Sequence, residues 1–383
     1  MQQLPFKSVT ECDSLEGKYV FLRSSINVPI TNGEVTNQFR ITRGLATVQY
    51  LVSKGARVII AGHVGSNGDI STKPIANIFA AQVPVVCSDE VIGAHTQKLR
   101  DELKNGEVLL IENLRSQDGE KKNDKIFAKS LADLADIYVN DAFAASHREH
   151  ASLGAITCFL PSYVGLNFVH EYQELTKALT PDSPSLFLLG GAKFDTKMPL
   201  VEKFLEIYDV VFIGGALAND FFKAKGYETG KSLVSEVSLI DSPLLGHKKI
   251  LLPMDVTVEK DGISRVTTPD DVRADERILD TGPQTVKMLT EYIEKAQMVL
   301  WNGPFGDYEH GFEEQTIEVA KTIAQASGYS VIGGGDTVAA IEELCCQEKY
   351  NFLSTAGGAM LTFLELGTLP AIQALANSPH TKR

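Results

Sequence analysis

Short apolar runs and helical stripes alternate along this chain from one end to the other. Runs at Tyr19–Arg23, Arg57–Ala61, Val108–Ile111 and Ile137–Val139 are rich in aliphatic and β-branched residues, as strands buried on both faces are. Between the first two, Ile41, Leu45, Val48 and Leu51 recur at helical spacing, and Gly55 follows as a stop. Such alternation predicts a parallel sheet with helical crossovers. In the second half each strand runs into glycine. Ser185–Leu189 leads to Gly190-Gly191, Val210–Ile213 to Gly214-Gly215, Ser330–Ile332 to Gly333-Gly334-Gly335, and Asn351–Ser354 to Thr355-Ala356-Gly357-Gly358. Between the halves, Tyr163, Leu166, Val169, Tyr172, Leu175 and Leu179 lie three or four apart and predict an amphipathic helix over 162–179. The loop Thr180-Pro181-Asp182-Ser183-Pro184 follows, so helix and loop together read as a domain connector.

The expected fold is α/β, with two doubly wound, parallel-sheet (Rossmann-like) domains joined by that helix and a hinge. The expected boundaries are 1–162, a connector over 163–182, a second domain over 183–355, and a final segment over 356–383 that packs back toward the first. A chain of 383 residues exceeds the usual span of one core.

Charge narrows the function. The net charge of −13 argues against nucleic acid as a partner. An anionic ligand would need positive charge gathered locally. No apolar run reaches the ~20 residues that cross a bilayer, and the N-terminus lacks a signal pattern, so the expected location is the cytoplasm. Cys12, Cys87, Cys158, Cys345 and Cys346 form neither a metal spacing nor a disulfide framework. Cys345 and Cys346 read as small buried residues on a helix. No oligomer interface is evident, so a monomer is expected.

Ligands of open parallel sheets bind beyond the carboxyl ends of the strands. In the first half those ends carry Arg23 and Asn27; His63; Glu112, Asn113 and Arg115; and Asn140, Asp141, His147, Arg148 and His150. Arg40 opens the first helix. Arginine forks match carboxylate and phosphate oxygens, so the set reads as a cradle for a phosphorylated carboxylic acid. In the second half, glycine turns opening helices suit phosphate. Lys193 and Lys197 follow the first turn, where they could reach phosphates. Asp336, after the triple glycine, suits Mg²⁺ held with nucleotide phosphates, or the N-cap of the next helix. Gly226 to Ser232 imitates a phosphate loop, but its glycine spacing is one residue short.

Together these residues resemble the phosphoglycerate kinase family. The matching segments are LRSSINVP, NQFRI, ENLR, YVNDAF, SHREHAS, LGGAK, FIGGA, LPMDV, WNGPFGDYE, IGGGDT and the STAGGA region. The resemblance implies reversible transfer of the acyl phosphate of 1,3-bisphosphoglycerate to Mg-ADP. The N-terminal domain would take the acid, the C-terminal domain the adenine nucleotide, and a hinge would close them. It implies acid-substrate contacts at Arg23, Ser25, Asn27, Arg40, His63, Ser66, Arg115 and Arg148. It implies nucleotide contacts at Lys193, Lys197, Gly214, Asn302, Glu309, Gly334, Gly335, Asp336 and Thr337, with the metal on Asp336. Arg40, Lys193 and Lys197 would serve the moving phosphoryl group, with N–H donors from Gly335, Gly357 and Gly358. Four positions depart from the family pattern. Ser25 stands where an Asp is usual, Ser66 where an Arg is, Thr196 where an Asp is, and Ala356 where a Gly is. Three readings are open: an active kinase of this family, a paralogue with altered acid specificity, and a nucleotide-binding regulatory protein without turnover.

Overall fold

The computed structural model describes residues 4–192, 194–236 and 238–380, the side chains of 194–196 excepted. The chain divides into two compact units. One comprises the residues up to Gln173 together with those from Thr368 onward; the other runs Glu174–Gly367.

In the first unit six parallel strands form the sheet. They are β1 (Tyr19–Ser24), β4 (Arg57–Ala61), β5 (Val85–Cys87), β6 (Val108–Leu110), β7 (Ile137–Asp141) and β8 (Ser162–Val164), in the order β5-β6-β4-β1-β7-β8. A small antiparallel ribbon, β2 (Ile30–Thr31) with β3 (Glu34–Val35), sits apart from it in the hydrogen-bonding pattern. The crossover helix Phe39–Ser53 buries Ile41, Val48 and Leu51 in the core shared with β1, β4 and β6. Each such side chain stabilises the unit by roughly 1.5–3 kcal/mol.

One stretch expected to be helical is not. Ser162–Val164 pairs with β7 as an edge strand, and the helix begins at Leu166. Gly165 makes the switch possible. A Cβ there would lie 2.3 Å from Asp141 Oδ1, and that oxygen accepts the Phe168 amide at 2.9 Å, capping the helix Leu166–Ala178. Helical spacing of Tyr163 and Leu166 alone could not reveal this.

The second unit repeats the parallel plan with β9 (Ser185–Leu189), β10 (Val210–Ile213), β11 (Ile250–Leu251), β15 (Met298–Asn302), β16 (Tyr329–Gly333) and β17 (Phe352–Leu353). Their order is β11-β10-β9-β15-β16-β17. It adds an antiparallel sheet that the hydrophobic pattern did not foretell: β12 (Val256–Lys260), β13 (Ile263–Thr267) and β14 (Arg277–Thr281), ordered β13-β12-β14.

The cysteine pair is also placed differently. Its helix ends at Glu343, Cys345 takes a left-handed φ of 48°, Cys345 is exposed and Cys346 half-buried. The imitation phosphate loop is a brace instead. Lys231 N–H donates to Glu276 O, and Ser232 Oγ accepts from Ile278 N–H, fixing β14.

The helix Gly358–Leu366 stays with the second unit, where Lys203 Nζ donates to the Leu364 and Glu365 carbonyls. The return to the first unit begins at Thr368, later than residue 356. There the helix Pro370–Ala376 docks through Ala371 N–H on Ser146 O and Thr157 Oγ1 on Ala374 O. No single helix among the described residues is long and apolar enough to cross a membrane.

Candidate active site

The carboxyl ends of β1, β4, β6 and β7 bring the first unit's basic residues together through two strings of contacts. In the first, Arg23 donates to His63 Nδ1 at 2.9 Å, and His63 Nε2 lies 3.4 Å from Arg148 NH1. In the second, Arg40 donates to Asn27 O at 2.6 Å, Asn27 Oδ1 accepts the Gly65 amide at 2.9 Å, and Arg115 donates to Gly65 O at 2.6 Å. Asn113 ties down the loop between, donating from Nδ2 to Val64 O and Ile70 O. Gly68 packs so tightly on Arg115 that a Cβ would sit 2.2 Å from its carbonyl carbon.

This concentration of cations has electrostatic consequences. Burial, then the charges of Arg23, Arg115 and Arg148, hold His63 far below the ordinary imidazole range, so it is neutral. Burial with Arg148 and Arg23 nearby pushes Arg115 down to about 10. Arg23 is fully buried, and desolvation lowers it although Glu120 opposes the shift. Burial lowers Arg40 too, against the pull of Glu171. Such a cluster favours an anion among its members. Ser25 is buried beside it in sequence and Ser66 is exposed.

The second unit offers a cavity of about 400 Å³, the size of small-ligand pockets. Phe222, Val256, Leu279 and Phe305 supply apolar wall, while Gly191, Gly215, Glu309 and Asp336 line its polar side. Asp336 is exposed in the first turn of the helix Gly335–Glu343, whose leading amides have no intrahelical acceptor. Gly357 and Gly358 open the helix Gly358–Leu366 in the same way. Gly334 holds φ 101°, which a side-chain-bearing residue rarely adopts.

The glycines are not all alike. The amides of Gly190, Gly191 and Gly214 are engaged by the carbonyls of Asn302, Pro304 and Leu189. A Cβ on Gly190 would lie 2.2 Å from Pro304 O, and one on Gly214 2.6 Å from Phe305. These glycines serve close packing, and their amides are already engaged. Asn302 is buried, its carbonyl holding Gly190 and its Nδ2 3.6 Å from Met360 Sδ. Lys197 Nζ donates to Gly190 O at 2.7 Å, and burial pulls it down to about 8. Lys193 and the Thr196 side chain lie outside the described residues. Asp280, which also lines the cavity, is pushed up to about 7 by burial.

No cluster of three or more His, Cys, Asp or Glu side chains suited to a metal occurs among the described residues. Magnesium needs less, one or two carboxylates completed by nucleotide phosphates and water. Asp336 on the cavity, followed by a Thr337 Oγ1 that is buried without a hydrogen-bond partner, fits that requirement.

Sequence reasoning missed the walls Phe222, Val256 and Leu279, which carry no motif. It also missed Glu120, which reaches the cradle through Ser152, 32 positions away, and stands beside His150.

The family model described as phosphoglycerate kinase matches residues 9–366. A protein named phosphoglycerate kinase from Chelativorans sp. (strain BNC1) is 38% identical, the alignment covering 97% of this chain and 99% of that one. One so named from Moorella thermoacetica is 39% identical over 94% and 97%. Among solved structures, phosphoglycerate kinase from Pyrococcus horikoshii OT3 superposes with a TM-score of 0.86 at 30% identity, covering 98% of this chain and 100% of that one. The one from Coxiella burnetii gives 0.82 at 34%, covering 97% and 99%.

Proposed function

The chain belongs to the phosphoglycerate kinase family, and on that premise we propose that it transfers the acyl phosphate of 1,3-bisphosphoglycerate to ADP, reversibly, giving 3-phosphoglycerate and ATP. The observation that carries the reading is the cradle. Arg23, Arg40, Arg115 and Arg148 are linked through His63, Asn27 and Gly65 in a protein of net charge −13. A folded chain gathers like charges this closely where an anion is to be held.

In this reading the first unit binds the acid. The arginine forks take its carboxyl and phosphate oxygens, and neutral His63 adds a donor without adding charge. The second unit binds the nucleotide, its base and ribose between the apolar walls and Glu309, its phosphates at the helix starts led by Gly335 and Gly358. Arg40, Lys197 and Lys193 stabilise the negative charge that spreads over the moving phosphoryl group. The transferring phosphorus breaks its bond to the carboxyl oxygen and bonds to the terminal oxygen of ADP, with no covalent enzyme intermediate. Asp336 would hold magnesium, which when bound neutralises phosphate charge and orients the nucleotide. The reading includes a monomer, a cytoplasmic location, small-molecule partners only, and a bending motion of the hinge during turnover.

A coupled assay of ATP turnover with 3-phosphoglycerate tests this directly. Turnover strictly dependent on the acid is expected. Nucleotide binding without acid-dependent turnover would sink the proposal. A second reading, a weakened acid site, draws on Ser66, an uncharged residue exposed on the loop beside Arg115; it differs by a raised KM for the acid alone.

A further inference from the structure

Glu120 is fully buried and reaches the cradle through Ser152. Its oxygens accept the Ser152 hydroxyl at 2.6 Å and the Ser152 amide at 3.0 Å. His150 Nδ1 stands 3.6 Å away. Burial opposes its ionisation, but the contact with His150, the charge of Arg23 and the two Ser152 donors outweigh it and hold the carboxyl below its ordinary range.

From this anion the direction of every proton in the chain of contacts can be worked out. A carboxylate only accepts and a guanidinium only donates. The single Ser152 hydroxyl proton therefore goes to Glu120, leaving the oxygen's lone pair for Arg23 Nε at 2.9 Å. Arg23 spends its remaining forks on Ser24 O at 2.8 Å and His63 Nδ1 at 2.9 Å. Nδ1 must then be the bare nitrogen, and neutral His63 carries its proton on Nε2. Nε2 in turn faces Arg148 NH1, another donor, at 3.4 Å. Two donors side by side have no bond to make with each other and need a shared acceptor.

We infer that Glu120 is a positioning residue for acid binding: through Ser152 and Arg23 it fixes His63 as the Nε2–H tautomer, so that His63 and Arg148 present converging donors to one oxygen of an anionic substrate. This rests on the acid-binding reading of the cradle. A purely structural Glu120 would tie Ser152 to its loop without governing the imidazole.

The test uses the full-length protein with ¹⁵N-labelled histidine, the His63 signals assigned by their loss in His63→Asn. The wild type should show a protonated Nε2 and a bare Nδ1. Ser152→Ala cuts the relay while leaving Glu120 and His150 in place, and should give a mixture of tautomers. Its KM for 3-phosphoglycerate should rise roughly tenfold, with the KM for ATP unchanged and kcat little altered. Glu120→Gln should act in the same direction. Inorganic phosphate, titrated as a probe independent of turnover, should bind more weakly to both variants. A wild-type Nδ1–H signal overturns the inference. So does a Ser152→Ala protein whose tautomer, or whose acid and phosphate affinities, match the wild type. If the wild type fails to turn over 3-phosphoglycerate, the kinase reading falls, while the tautomer and phosphate measurements still judge the relay.

Discussion

The two units would meet a negatively charged ligand by opposite means. The cradle of the first is made of side chains: long cations, desolvated and crowded, held apart from collapse by hydrogen bonds to Asn27, Gly65, Ser152 and His63. The cavity of the second is made of main chain: helix starts, a glycine at φ 101°, and strand ends brought together where no Cβ would fit. The first arrangement carries its charge permanently and bears the desolvation cost at rest. The second offers partial charges that cost nothing to bury, because the peptide dipoles already point outward. A side-chain site can change one contact at a time. A main-chain site changes only when the backbone does.

Lys197 is the exception that best tests the contrast, being a side-chain cation in a main-chain site. For Lys197→Ala we expect kcat to fall on the order of 10²- to 10³-fold, by analogy with removal of one preorganised donor, with the melting transition preserved. Near-normal turnover would remove it from the chemistry. Gly190→Ala should strike the fold rather than a ligand. The new methyl would meet Pro304 O, so denaturant unfolding should show a loss on the order of 1–3 kcal/mol. Gly335→Ala is the control, since its Cβ meets nothing within 4 Å, and a loss equal to that of Gly190→Ala would refute the packing argument.

Ser66→Arg probes how freely the cradle can be edited. An added fork near Arg115 should lower the KM for 3-phosphoglycerate roughly tenfold and leave that for ATP alone; an unchanged or raised value counts against a weakened acid site. The smallest effect is in pH. Burial holds Lys197 near 8, so its charge is present below that value and lost above it. In a pH series, kcat/KM for ATP should decline as pH rises through about 8, and Lys197→Arg, which stays charged, should flatten the decline.

Much of this was readable in the chain. Ser185–Leu189, Val210–Ile213 and Arg57–Ala61 fall on observed strands to the residue, because strands buried on both faces are uninterrupted apolar runs. The cradle was readable because a parallel sheet collects the carboxyl ends of all its strands along one edge, and with them the residues of the adjoining loops. The features that escaped depend on contacts between distant segments. Ser162–Val164 is a strand only because β7 lies beside it. The antiparallel β12–β14 sheet has exposed Ile263 and Val266 on one strand, which blurs its pattern. Glycine in the sequence announced turns, but not which amides were already engaged: those of Gly190 and Gly214 are. Glu120 looked like one acidic residue among 49 in the Asp and Glu total; its meaning comes from Ser152 and Arg23.

The path of the chain carries one last consequence. The second unit is a continuous stretch, Glu174–Gly367, while the first is assembled from segments on either side of it in the sequence. During synthesis the unit that starts to emerge before the other is therefore completed after it. A nascent chain stopped at Gly367 holds every residue of the later unit, yet leaves the Ser146 and Thr157 surface of the earlier one waiting for its final helix.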